Sequence, residues 1–167
     1  MEWTFDIRSA LLVGALLTLM IGLVLLVVGR ALSPAYRPSI HWWVGATLLQ
    51  PAGFVLLSLR DTLSPLLSIL VANAFVALGF AAYVVALRHF FRLPSGRGPL
   101  LGLVALALAV SFYWGLVAPD LTRRLIAISL SLGALLGYSA WIVFRHAERR
   151  GPIRLVTGGV FALAAGI

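Results

Sequence analysis

A chain of 167 residues that is 62% hydrophobic and 11% charged, with no cysteine and a formal net charge of +8, lacks the polar material to coat a globular surface, because soluble domains are about a quarter charged. The missing cysteine excludes disulfides, thiolate metal sites and cysteine nucleophiles. All thirteen basic residues are Arg, and since they sit between long apolar runs, their expected partner is the lipid head-group region and not nucleic acid.

Six apolar stretches follow one another, each to be judged against the roughly 20 helical residues that a hydrocarbon core requires. The first, Ser9–Gly29, is led by Met1–Arg8, where Glu2 and Asp6 oppose Arg8. A secretory signal would carry a positive lead and a shorter apolar core of about 7–15 residues, so this run is read as a retained helix. Pro34 and Pro38 break the connection to the second run, Ser39–Leu59. Near the middle of that run lie Gln50 and Pro51; the proline removes a backbone donor and should free a carbonyl near Ala46 or Thr47. The third run, Leu63–Leu87, opens on Ser64-Pro65, an N-cap and first-turn proline pattern, and holds Asn73 near its middle. Pro94-Ser95-Gly96 marks the turn into the fourth run, Gly98–Ala118, and Pro119-Asp120 precedes the fifth, Leu125–Phe144. Within the fifth, Ser129, Gly133 and Gly137 place small residues at the spacing that lets helices approach closely, expected here for packing inside the bundle more than for a dimer seam. Gly151-Pro152 leads into a sixth run from Ile153 to Ile167. Those fifteen residues would rise only ~22 Å against a core of ~30 Å, so the chain is expected to stop inside a helix.

The fold class expected is therefore all-α: a polytopic transmembrane bundle of five complete spans and a truncated sixth. Arginines fix its orientation. Arg30, Arg37, Arg88, Arg92, Arg97, Arg145, Arg149, Arg150 and Arg154 fall on one side, against Arg8, Arg60, Arg123 and Arg124 on the other. The excess belongs to the cytoplasmic side, which puts the N-terminus outside. Trp3, Trp42, Trp43, Phe90, Phe91, Tyr113, Trp114, Trp141 and Phe144 fall at the helix ends, as an interfacial aromatic belt does. Exterior connections are short, so whatever is sensed or carried must meet the helices themselves.

Chemistry-bearing residues are sparse. None of the five complete runs contains Asp or Glu, which weakens a proton- or cation-coupled transport mechanism, since such carriers usually place an ionisable group in the membrane. Gln50 and Asn73 could hydrogen-bond across the hairpin of the second and third helices or share a polar cavity; with Pro51 they are the candidates for a ligand-binding or switching centre. Arg60, Asp61, Asp120, Arg123 and Arg124 are candidates for polar contacts at the outer rim. His41, His89 and His146 lie at helix ends beside Arg or Trp, without a neighbouring carboxylate or an HxxxH pair, so interfacial anchoring is preferred to a metal or haem site. No GxSxG, HExxH or glycine-rich phosphate loop occurs, so no active site and no cofactor are expected within these residues.

Four segments carry a resemblance. Phe5-Asp6-Ile7-Arg8, the run LLSILVANAFVALGFAAYVVALRHFFR over Leu66–Arg92, YWGLVAPDLTRR over Tyr113–Arg124 and WIVFRH over Trp141–His146 resemble the N-terminal membrane region of bacterial diguanylate cyclases, whose cytoplasmic output is a GGDEF domain. The resemblance implies a sensory input module in a bacterial inner membrane, commonly of about seven spans, feeding a dimeric enzyme that makes cyclic di-GMP. The GGDEF signature and GTP-binding residues are not in this sequence, so the resemblance places any catalysis beyond Ile167, and a histidine kinase or another output could follow the same kind of input. The partners expected are the bilayer, a second copy of the chain and a small ligand of unknown identity. The alternative reading is a small multi-pass transporter or exporter subunit, which would carry an inverted repeat and a midplane cavity. A lipid-modifying membrane enzyme is a third reading, for which no acid or nucleophile is found.

Overall fold

Five helices long and apolar enough to cross a membrane, and part of a shorter sixth, make up the computed structural model, which describes residues 6–94, 96–147, 160 and 163–165. They are α1 (Ile7–Ala31), α2 (Arg37–Ser58), α3 (Ala72–Phe90), α4 (Arg97–Phe112) and α5 (Leu121–His146). Val160 and residues 163–165 are helical and belong to the sixth. Each expected run lies within two or three residues of an observed helix at most ends; α5 starts four residues earlier than expected because Asp120 caps it.

The helix ends are set by side-chain chemistry. Asp6 caps α1, accepting from the Arg8 N–H at 3.1 Å and from the Ser9 hydroxyl at 2.9 Å. Asp120 caps α5, accepting from the Arg123 N–H at 3.0 Å. Each satisfies a backbone donor that no helical carbonyl can reach. Pro34 opens a short 3-10 turn (Pro34–Tyr36), and Pro38 sits in the first turn of α2. Pro38 therefore starts a helix where a break was expected, because at that position its missing N–H has no partner to lose. Ser64 starts the third span through its backbone carbonyl, which accepts from the N–H groups of Leu67 and Ser68, and not by a hydroxyl cap. The span ends in a Schellman arrangement: Leu93 N–H donates to Arg88 O at 2.8 Å and Arg92 N–H to His89 O at 3.2 Å. This geometry puts Arg92 at φ 54°, a left-handed position usually given to Gly.

Two stretches are not α-helical. Leu66–Val71, leading into α3, and Tyr113–Val117, following α4, are wound as π-helix. Both lie at the same end of the bundle, beside the α2–α3 and α4–α5 turns. π turns are rare and mostly occur as local bulges; two in contact are a feature that hydropathy alone could not show.

Packing runs in chain order. α1 packs against α2, α2 against α3, and α3 also against α4 and α5. The tightest crossing is α2 on α3, and glycine makes it. A Cβ on Gly53 would lie 2.6 Å from Val76 Cγ2 and 2.8 Å from the Ala72 carbonyl oxygen; one on Gly79 would lie 2.6 Å from Gln50 Cγ. The α1–α2 contact uses the same device, with Gly22 against Thr47 and Gly29 against Ile40. Without a hydrophobic force between helices in lipid, such close backbone approach is what gives dispersion contact. At the end opposite the π segments, Val84, Leu87, Leu100, Leu135, Ile142 and Val143 form the main buried cluster, flanked by Trp43, Phe80 and Tyr138. Buried hydroxyls bond to carbonyls, mostly one turn back, as in Ser111 to Ala107 O, Ser131 to Ala127 O and Ser139 to Leu135 O. Ser39 crosses to α3 and donates to Ala86 O at 2.8 Å.

The small-residue motif of α5 plays a smaller part than α2 and α3. A Cβ on Gly133 would lie 3.3 Å from the Ala165 carbonyl oxygen of the sixth helix, while Gly137 has nothing within 4 Å. Ser129 and Gly133 line a cleft of about 640 Å³ beside Ala165.

Candidate functional site

The two deep amides do not meet. Gln50, buried in α2, accepts through Oε1 from the Tyr83 hydroxyl at 3.3 Å, and its Nε2 has no hydrogen-bond partner. Asn73 donates from Nδ2 to the Ile69 carbonyl at 2.7 Å, within its own helix. The expectation of a Gln50–Asn73 bond across the hairpin is therefore corrected. The reason is angular. Gly79 faces Gln50, and at about 100° per residue Tyr83 lies nearly under Gly79, whereas Asn73, six residues earlier, points about a third of a turn away. Depth was matched; direction was not. Pro51 is buried beside Gln50 and α2 continues through it.

Asn73 instead serves the π segment. Its amide reaches the carbonyl of Ile69, to which the Ala72 N–H also donates. A π turn disturbs the one-to-one ladder of an α-helix, and this side chain adds a donor where the ladder is disturbed.

Asn73 also faces a cavity, of about 540 Å³, at the end where both π segments lie. The wall is assembled from four places in the sequence. The start of α1 gives Asp6, Ile7, Arg8 and Leu11; the end of α2 and its turn give Leu57 and Arg60; the first π segment and α3 give Ser68, Ile69 and Asn73; the start of α5 gives Leu121, Arg124 and Leu125. The second π segment supports this wall from behind, since a Cβ on Gly115 would lie 2.8 Å from Ile69 Cγ2 and 3.5 Å from Arg124 Nη1. Polar groups ring an apolar interior, the usual make-up of a small-ligand site, and its volume is within the usual range of about 300–1,000 Å³.

Charges around the cavity are unequally matched. Arg8 pairs with Asp61, whose other oxygen lies 3.6 Å from Arg60 Nε. Arg123 pairs with Asp120 at 3.2 Å, one turn apart on α5. The Ser9 hydroxyl, with the Arg8 N–H, holds the Asp6 carboxyl below its ordinary pKa, so this acid is committed to capping α1. Among the described residues, the Arg124 guanidinium has neither an ion pair nor a hydrogen bond. Of the outer-rim candidates, Arg60 and Arg124 line the cavity, while Asp61, Asp120 and Arg123 do not. Arg8 and Asp6, from the segment leading into α1, join them in the wall. These ion pairs are exposed and contribute little to stability.

A second, smaller cavity of about 350 Å³ lies at the opposite end, lined by Arg30, Arg37 and His41 with Leu26, Gly29 and Ile40. His146 bonds to the Ile142 carbonyl at 3.1 Å and packs on Phe91 and Trp141.

No protein-family model, curated protein or solved structure matches this chain. What fold and site define is thus a class: a multi-pass helical membrane bundle with an arginine-bearing cavity at one end. The likeness to diguanylate cyclase input regions stands on the four sequence segments alone.

Proposed function

We propose that this bundle is the membrane-embedded sensory input of a bacterial inner-membrane signalling protein, itself without catalytic activity, controlling a cytoplasmic diguanylate cyclase that follows it. The observation that carries the reading is the placement of the cavity against both π segments. Ser68, Ile69 and Asn73 belong at once to the cavity wall and to the π-to-α junction of the third span. An occupant that favoured one winding of Leu66–Val71 over the other would rotate everything in that span beyond it. The same span reaches the opposite end of the bundle, where Leu87, Arg88 and Phe91 touch α5 and the turn into α4. A ligand then acts by its differential affinity for two packings of one chain.

The test is Asn73→Leu in the full-length protein, which removes the donor at the π junction while leaving an apolar helix. Coupling effects of ~0.5–2 kcal/mol would change cellular cyclic di-GMP by about two- to thirty-fold, with the protein still in the membrane. Unaltered cyclic di-GMP at normal membrane levels would refute the input reading and promote the transporter.

A further inference from the structure

We infer that the cavity between α1, the α2–α3 turn and α5 binds a small amphiphilic monoanion, a single carboxylate or phosphodiester group carrying an apolar chain, with the anionic group held between Arg60 and Arg124. The inference rests on the reading of this cavity as the sensing site and gives its ligand a chemistry. Three observations carry it. Arg124 is half-buried and has no counter-charge among the described residues, and Arg60 only shares Asp61 with Arg8. Both line one cavity, where two guanidinium groups repel until an anion joins them. The remaining wall is largely apolar, with Leu57, Ile69, Leu121 and Leu125 alongside the charged ring, so a hydrated inorganic anion would leave most of it unfilled.

The count of charges sets the valence. Asp61 is engaged by Arg8, Asp120 by Arg123, and Asp6 by the N-terminus of α1. Among the described residues at this end, four arginines (Arg8, Arg60, Arg123 and Arg124) face these three carboxylates, so one positive charge is in excess, which one negative charge completes. A guanidinium offers paired N–H donors to a carboxylate or phosphate in a planar fork, which a Lys would not. The seat of the ring at the outer ends of the helices lets such a molecule enter head-outward with its chain toward the hydrocarbon. A free amphiphile and a bilayer lipid share this chemistry.

The experiment uses the full-length protein in nanodiscs of zwitterionic phosphatidylcholine, titrated with dodecanoate and followed calorimetrically. Saturable binding is expected, weakened about tenfold or more in Arg124→Gln and in Arg60→Gln, and unchanged in Arg123→Gln, whose guanidinium lies outside the cavity. Dodecanol and acetate, which carry the chain or the charge alone, should each bind at least about tenfold more weakly. Thermal unfolding of each ligand-free variant separates lost binding from lost fold, and Arg124→Lys, which keeps the charge without the fork, should bind with intermediate strength. Discs containing phosphatidylglycerol distinguish the source: competition with dodecanoate assigns the site to lipid, and its absence assigns it to a free amphiphile, both within the inference. Equal binding of dodecanoate and dodecanol, or equal binding by wild type and Arg124→Gln, would overturn it, because either would mean simple partition onto the lipid-facing surface. Binding that is intact while cyclic di-GMP ignores the ligand would sink the sensory reading and leave the site standing.

Discussion

Gln50 brings one acceptor and two donors into the depth of α2, and only the acceptor is used. An unpaired buried N–H costs of order 1–3 kcal/mol, whereas an apolar residue of similar shape has no such penalty. Gln50→Leu alone should therefore cost little. The pairing is best read from a double-mutant cycle on unfolding in detergent. Gln50→Leu with Tyr83→Phe should show a coupling of about 0.6 kcal/mol, the average for hydrogen bonds between membrane helices. Gln50→Leu with Asn73→Leu should be additive within roughly 0.3–0.5 kcal/mol. A larger coupling to Asn73 would contradict the geometry, in which that amide turns back on Ile69.

At the scale of elements, the decisive contact is the crossing of α2 and α3. Gly53 and Gly79 are its two points of closest approach, and each would set a Cβ against atoms that have little room to move: the Ala72 carbonyl oxygen at 2.8 Å and the Gln50 backbone N at 3.3 Å. Overpacking of this kind typically costs ~1–3 kcal/mol. Gly79→Ala should accordingly lower the thermal stability of the purified protein. Gly102→Ala on α4, where a Cβ meets nothing within 4 Å, should be neutral or stabilising through helix propensity, by up to roughly 1 kcal/mol. Equal responses at the two positions would mean that the α2–α3 crossing is looser than described. The π segments belong to this scale as well. They occur where the cavity has to be built, and Gly115 is small because Ile69 and Arg124 lie against its backbone.

For the whole molecule, the nine-to-four division of arginines leads, under the positive-inside rule, to the expectation that the π segments and the arginine-bearing cavity lie outside. The absence of native cysteine makes this directly testable. Ser64→Cys, in the α2–α3 turn, should react in intact cells with an impermeant thiol reagent, and Ser95→Cys should not. The reverse pattern would put the arginine cavity in the cytoplasm and with it remove an external ligand from the account.

The sequence by itself determined the membrane class, the number of long helices and most of their ends, because a 20-residue apolar run has only one economical way to satisfy its backbone in lipid. The outer-rim arginines could be read from their place between spans, whereas the cap at Asp120 starts α5 four residues before the expected run. Azimuth and winding were decided only by tertiary structure. Gln50 and Asn73 have comparable depths, yet Gly79 turns one face of α3 toward Gln50 and so selects Tyr83 as its partner. The glycine seam of α2 and α3 was masked by the abundance of small residues throughout the chain, while the visible motif at Gly133 and Gly137 engaged at only one of its two glycines. The cavity was least legible of all. Its wall joins residues more than a hundred positions apart, from Asp6 to Leu125, and depends on two π turns that hydropathy cannot register, since an extra residue in a turn changes where side chains point without changing how apolar they are.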